Sequence, residues 1–345
     1  MGLPEQPVAV RVPATSANLG PGFDALGLAL GLYDEVEVRA TGTASGVDIQ
    51  VTGEGAQDVA DAGERHLIVR ALRVALDDLD IPQPPGLTLR CVNRIPHGRG
   101  LGSSAAAIVA GLLAARALAG ASLAPADVLP LASTLEGHPD NVAPCLFGGL
   151  TIAWTSAGAA GLPAARAVRL DPLPDVRPVA FIPPEPVSTN VARGLLPASV
   201  PHGDAARNAG RAALLIAALT DRTALTSPGA LLDATEDWLH QDYRAPAMPL
   251  SRELRSRLRD AGIPAVVSGA GPTVLAFLLT GNPDMTGSRR ISPELGPDNV
   301  RLLDSIAAET GIHWRISPLD VERQGASVTP GADAASGAGP SSPGC

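Results

Sequence analysis

The chain contains no lysine. All 26 basic residues among its 345 are arginine. That absence excludes a P-loop lysine, the ATP-contacting lysine of protein kinases and any Schiff-base chemistry on a lysine amine. If the chain handles phosphate, it must do so with backbone amides, arginines, hydroxyls and a metal. Cysteine is nearly as scarce: Cys91, Cys145 and Cys345 are odd in number, far apart and form no CxxC pair. Neither a disulfide framework nor a zinc site is expected. No uncharged apolar stretch reaches membrane-spanning length, and the opening Met-Gly-Leu-Pro-Glu-Gln has neither a basic nor an apolar export region. A net charge of −9 argues against nucleic acid as a bulk partner. The expectation is a cytoplasmic protein that binds no membrane. The sequence leaves its oligomeric state open, a homodimer included.

The length exceeds what one hydrophobic core usually serves, so two domains are expected. A composition shift to Gly, Ala and Pro at residues 156–163 suggests the boundary. The expected units are residues 1–163 and 164–323. The remainder, 324–345, is rich in Gly, Ala, Ser and Pro without apolar periodicity and reads as a disordered tail.

Alternation predicts a strand over residues 8–12, running into the turn-rich segment Pro13-Ala-Thr-Ser-Ala-Asn-Leu-Gly-Pro-Gly-Phe-Asp24. Helical spacing appears at 66–79, 125–136, 208–219, 231–239, 250–261 and 300–309. Strands are expected at 33–39, 47–51, 88–93, 150–154, 177–182 and 312–316, with a strand–turn–strand at 265–277 and a variable loop at 282–296. The most informative stretch is Pro96, His97, Gly98, Arg99, Gly100, Leu101, Gly102, Ser103, Ser104, Ala105 and Ala106, followed by a run of helix formers. A glycine-rich loop before a helix offers close backbone approach, free amides and the positive end of a dipole to a phosphate. Ser103 or Ser104 could cap the helix or face a phosphate oxygen or metal. Taken alone, the stretch fits a capped core helix equally well. Farther on, Glu136-Gly-His-Pro-Asp-Asn141 collects two carboxylates and a histidine in six residues.

Three glycine-containing motifs in this order resemble the GHMP small-molecule kinase superfamily. Residues 96–106 match its second motif without a break, and Ser268-Gly269-Ala-Gly271-Pro-Thr273 matches its third, a Gly-x-Gly turn between strands. The first motif, together with residues 136–144 and Ser188-Thr189 with Arg193, is similar to the homoserine kinase branch, and the resemblance covers roughly residues 8–320. It implies an α+β fold of two domains, an amino-terminal domain like the second domain of ribosomal protein S5 and a ferredoxin-like carboxy-terminal domain. It also implies ATP-dependent phosphorylation of the L-homoserine hydroxyl in threonine synthesis.

By that resemblance the ATP phosphates lie on residues 96–106, closed over by Gly269 and Gly271. Ser104 and Glu136 would hold Mg²⁺, and Thr189 would stand near the γ-phosphate. Arg193 and Arg244 would bind the homoserine carboxylate, Asn18 and Asp24 its ammonium, and Asp140 and Asn141 its hydroxyl end. Asp140 is the only carboxylate there to nominate as a base, and direct proton passage to the γ-phosphate is equally tenable. His66 stands where relatives commonly carry Asn at a nucleotide-base contact. The alternatives are a mevalonate-type alcohol kinase, whose substrate would leave Asn18 and Asp24 without an ammonium, and a non-catalytic nucleotide-binding protein. A dinucleotide-binding oxidoreductase is disfavoured because Gly98, Gly100 and Gly102 are too closely spaced and no acidic residue follows at a strand end about twenty residues on.

Overall fold

The valines that alternate from Val8 open β1 (Val8–Ala17), and the apolar run after the first turn-rich loop opens the long strand β2 (Leu26–Thr41). A computed structural model of the chain describes residues 3–42, 45–157, 163–227, 229–279 and 297–331. β1 and β2 pair antiparallel from Val8↔Val38 to Ala17↔Gly27, which places the first motif at the tip of their hairpin. β3 (Gly46–Gly53), α1 (Ala56–Val59), α2 (Leu67–Asp78) and β4 (Gly86–Asn93) follow, with β3 and β4 parallel and β4 against the second half of β2. Then come α3 (Ser103–Leu118), α4 (Pro125–Glu136), α5 (Pro139–Phe147), β5 (Leu150–Ala157) and β6 (Pro163–Leu170). β5 pairs with the start of β2 and β6 pairs with β5.

The composition shift at 156–163 therefore does not divide two domains. The strands on its two sides, β5 and β6, pair antiparallel in one sheet, so the first unit runs on through β6. Apolar residues at 68, 69, 72, 75 and 76 bury one face of α2, and a fully buried leucine such as Leu72 contributes about 2 kcal/mol. α3 is apolar on all sides because it lies in the middle of the first core. Its Gly111 is where α2 crosses: a Cβ there would stand 2.3 Å from the Ile68 carbonyl oxygen.

The second half contains β7 (Val176–Ile182), α6 (Thr189–Gly194), α7 (His202–Thr220), α8 (Ala230–Ala234), α9 (Gln241–Arg244), α10 (Pro249–Asp260), β8 (Ala265–Val267), β9 (Val274–Leu279), α11 (Pro297–Ala308) and β10 (Arg315–Pro318). Its antiparallel sheet runs β10-β7-β9-β8, which is the 4-1-3-2 order of a ferredoxin-like unit. β9 is apolar at every position because both its faces are buried. Leu275 and Phe277 enter the core shared with the first sheet, while Val274, Ala276 and Leu278 pack under α10 and α11.

Two sequence expectations fall differently. The tail expected from residue 324 begins with β11 (Ser327–Pro330), which pairs antiparallel with β1, and Ala326 N–H donates to the Cys145 carbonyl. The helix expected over 231–239 stops at Ala234. Asp237 accepts the amides of Leu239, His240 and Gln241 and turns the chain instead. The loop expected at 282–296 lies outside the described residues. None of the described helices is long and apolar enough to cross a membrane.

Candidate active site

Three chain turns meet at the junction of the two sheets. Gly98, Gly100 and Gly102 all have φ between 66° and 73°, a region that side chains disfavour. This lets the loop wind tightly against its neighbours. Thr15 N–H donates to Leu101 O at 3.0 Å, Gly269 N–H to Ala17 O at 3.0 Å and Thr273 N–H to Arg99 O at 3.3 Å. Ser268 Oγ donates to Gly100 O at 2.6 Å. The first, second and third motifs are thereby tied into one body.

Beyond this knot the α3 N-terminus opens. Its first helical bond runs from Ala106 N–H to Gly102 O, so the amides of Ser103, Ser104 and Ala105 have no intrahelical acceptor. Neither serine caps the helix. The N-cap position is Gly102, and Ser104 Oγ instead donates to Glu136 Oε2 at 2.8 Å. Burial raises the Glu136 carboxyl pKa, partly offset by that hydrogen bond and by nearby His138.

A cavity of about 280 Å³ lies over these amides. One side is formed by Gly98, Gly100, Gly102, Ser103 and Ser104. The other carries Thr189, Arg193 and Arg244, with Glu136, Asp140, Asn141, Asn18 and Gly269 closing it. Residues named for acceptor, phosphate and metal thus converge from six separate segments. Asp140, whose side chain is 2 % exposed, bonds His138 Nδ1 at 2.6 Å. Burial alone would lower the His138 pKa, but the Asp140 hydrogen bond and the charges of Asp140 and Glu136 raise it overall. Asn141 Oδ1 accepts from Thr15 Oγ1 at 2.9 Å.

A second chamber of about 340 Å³ shares Ser103 and Ser104 with the first. Val12, Val36, Leu67, Ile68, Ala106 and Ala107 make it largely apolar, and Asp34, His66, Asn93 and His97 add polar groups. His66 is only 7 % exposed and its Nδ1 has no partner. Burial and the neighbouring His97 lower its pKa and keep it neutral.

Several expected positions lie elsewhere than the cavity. Arg99 donates to the carbonyls of His97, Pro183 and Pro184, so its guanidinium clamps the loop to the second half. Leu101 and Ala105 are core residues, and buried Pro96 precedes the loop. Gly271 sits behind its turn, where a Cβ would meet Met248 Sδ at 2.4 Å. Asn18 does line the cavity, but it uses both ends of its amide. Nδ2 donates to Gly269 O and Oδ1 accepts from Asp24 N–H, each at 2.9 Å.

Asp24 faces Arg193 in a two-pronged ion pair of 2.7 and 3.2 Å. Arg244 is 1 % exposed, makes two bonds of 3.3 Å through Nη1, and leaves its Nε unpartnered. Phe23 lies within 6 Å of both guanidinium groups. Phe23, Thr15, Asp34 and His240 are site neighbours that no local spacing singled out, since each acts through a partner at least 60 residues away.

A helix N-terminus over a glycine loop, with an adjoining apolar chamber and an acid–arginine pocket facing it, is the arrangement of a small-molecule kinase. The family models agree. Residues 66–149 match the GHMP kinases N terminal domain and residues 215–284 the GHMP kinases C terminal domain. The chain is therefore a phosphotransferase of the GHMP class, and kinases of this class take their phosphoryl group from ATP. A homoserine kinase of Streptomyces coelicolor is 54 % identical over 326 residues, covering 94 % of both chains. Another, from Rhodococcus opacus, is 52 % identical over 78 % of this chain and 87 % of its own. The crystal structure of homoserine kinase from Cytophaga hutchinsonii superposes with a TM-score of 0.76 at 27 % identity, covering 94 % of this chain and 98 % of its own. The chain belongs to the homoserine kinase family.

Proposed function

We propose that the chain transfers the γ-phosphoryl group of ATP to the side-chain hydroxyl of L-homoserine, forming O-phospho-L-homoserine and ADP in threonine biosynthesis. The observation that carries this is the buried Arg244, its Nε unpartnered, beside the Asp24–Arg193 pair in the wall facing the α3 N-terminus. A carboxylate suits the arginines and an ammonium suits Asp24, so a zwitterion can enter this pair without stranding either charge. Mevalonate has no ammonium for Asp24.

The ATP phosphates rest on the amides of residues 103–105, and the base occupies the apolar chamber against His66. Ser104 and Glu136 offer two hard oxygens at the helix N-terminus. This fits Mg²⁺, which keeps waters and phosphate oxygens as its other ligands. Such an ion would neutralise charge on the phosphates. Thr189 and Asn141 flank the space between acceptor and phosphate. Catalysis is then mainly positioning and charge neutralisation.

Asp140 already engages His138 Nδ1 through its carboxylate, so it is better placed to align the acceptor than to take its proton. The hydroxyl proton passes to a γ-phosphate oxygen, and Asp140 aligns the acceptor. Asp140→Asn is expected to lower turnover by about tenfold or less, where loss of a true base costs about 10²–10⁴. A fall of several decades at unchanged homoserine KM would restore Asp140 as the base. The overall activity is tested by coupled ADP release with L-homoserine, mevalonate and no acceptor. Only L-homoserine should support sustained release; equal rates in all three sink the proposal.

A further inference from the structure

Outside the groups already given roles, one histidine among the described residues is completely buried. His240 is 0 % exposed and begins the short turn that carries Arg244. Its Nε2 lies 2.7 Å from the Gly20 carbonyl oxygen of the first motif, and its Nδ1 lies 3.3 Å from Arg244 Nη1. Its ring stacks on Phe23 with centroids 5.2 Å apart. These partners settle the tautomer. A guanidinium only donates and a carbonyl only accepts, so Nδ1 carries the lone pair and Nε2 the proton. A protonated ring would aim a second N–H at a cation. Asp237, 3.7 Å from Nε2, favours that proton, while Arg244 and Arg255 oppose it. Burial decides against it and lowers the pKa.

We propose that neutral His240 is a positioning residue, which fixes the Arg244 guanidinium against the first-motif loop so that its open edge meets the acceptor carboxylate. This rests on the homoserine phosphorylation proposed above. Among the described residues Arg244 Nη1 has two acceptors, His240 Nδ1 and Gly269 O, and both are 3.3 Å away. Removing the imidazole lone pair leaves one long bond to orient a buried cation. The same ring holds Gly20 O and Phe23, so the acceptor arginine and the loop bearing Asp24 are set by one side chain.

Two replacements separate the ring's two edges. His240→Asn keeps an oxygen near the Nδ1 position and loses the Gly20 contact. His240→Gln reaches Gly20 with its amide N–H and loses the acceptor facing Arg244. With wild-type turnover established first, His240→Gln is expected to raise the homoserine KM about tenfold or more with the ATP KM unchanged, a loss typical of a charge-assisted hydrogen bond. His240→Asn should restore most of that loss. Equal homoserine KM values in wild type and His240→Gln, or a matching rise in the ATP KM, would overturn the proposal.

A second measurement needs no variant. In the wild-type chain labelled with ¹⁵N-histidine, NMR near neutral pH should show His240 as the neutral Nε2–H tautomer. Its Nδ1 resonance should move on adding homoserine with ADP, and not with ADP alone. An imidazolium, an Nδ1–H tautomer or no response to homoserine would overturn the proposal. If the wild type shows no homoserine-dependent ADP release at all, it is the proposed activity that fails.

Discussion

Arg244→Met should raise the homoserine KM by about a hundredfold or more while leaving the ATP KM within about twofold. Truncating one partner of a buried, hydrogen-bonded charge pair costs about 2–5 kcal/mol, and each 1.4 kcal/mol is a decade. Arg244 is that kind of partner once a carboxylate is bound, since it is buried and Nε has no protein acceptor. Without substrate it is an under-paired cation whose pKa is lowered by burial and then by Arg193. Methionine fills a similar volume and removes that unsatisfied charge, so the fold should lose little and could gain stability. The predicted pattern is therefore a large loss of acceptor binding with an unchanged or raised Tm. Steady-state kinetics in each substrate and a thermal melt check it. A matched loss in both KM values would mean that Arg244 supports the whole cleft rather than the acceptor.

Gly100→Ala should reduce turnover by at least about a hundredfold and lower the Tm by several degrees. The residue has φ 73°, and its Cβ would stand 2.2 Å from Ser268 O and 2.8 Å from Gly271 O. Both contacts are with backbone, so no side chain can swing away. The left-handed φ costs about 1–2 kcal/mol and the overlap about 1–3 kcal/mol more. Relief comes only by parting the glycine loop from the turn of the second half, which breaks the Ser268–Gly100 bond and moves the α3 amides relative to the acceptor pocket. An error of about 1 Å in reacting geometry is enough for a hundredfold loss. Gly120→Ala is the control. It shares a positive φ of 65°, yet nothing lies within 4 Å of its Cβ, so it should cost only about 1–2 kcal/mol and leave turnover intact. Equal turnover in the two variants would show that strain at Gly100 is not coupled to the chemistry.

Much of this site is legible in the sequence, because its parts are local motifs. Gly98, Gly100 and Gly102 before an alanine-rich helix fit an open helix N-terminus as well as a capped one, and the structure has the open one. Glu136, Asp140 and Asn141 lie on two helix ends joined at Gly137, so their closeness follows from chain order. Other features depend on contacts between distant segments, which no local spacing encodes. Arg99 has the composition of a phosphate ligand, but it spends its donors on carbonyls of residues 183 and 184. The tail from residue 324 has a disordered composition, yet β1 offers it an open edge and residues 327–330 pair there. The apolar pattern at 231–239 is helical, but Asp237 captures three amides of the chain that follows and a turn forms. β9 shows no alternation because both its faces meet a core, so its sequence cannot say which residue faces which.

The most direct test of phosphoryl transfer to a zwitterionic alcohol is ³¹P NMR of the product. The chain is incubated with ATP, Mg²⁺ and either L-homoserine or 4-hydroxybutanoate, which lacks the ammonium. A phosphomonoester resonance should grow in step with ADP with L-homoserine and be absent with 4-hydroxybutanoate. ATP loss that yields only inorganic phosphate, or a phosphomonoester formed equally from both alcohols, would contradict the account.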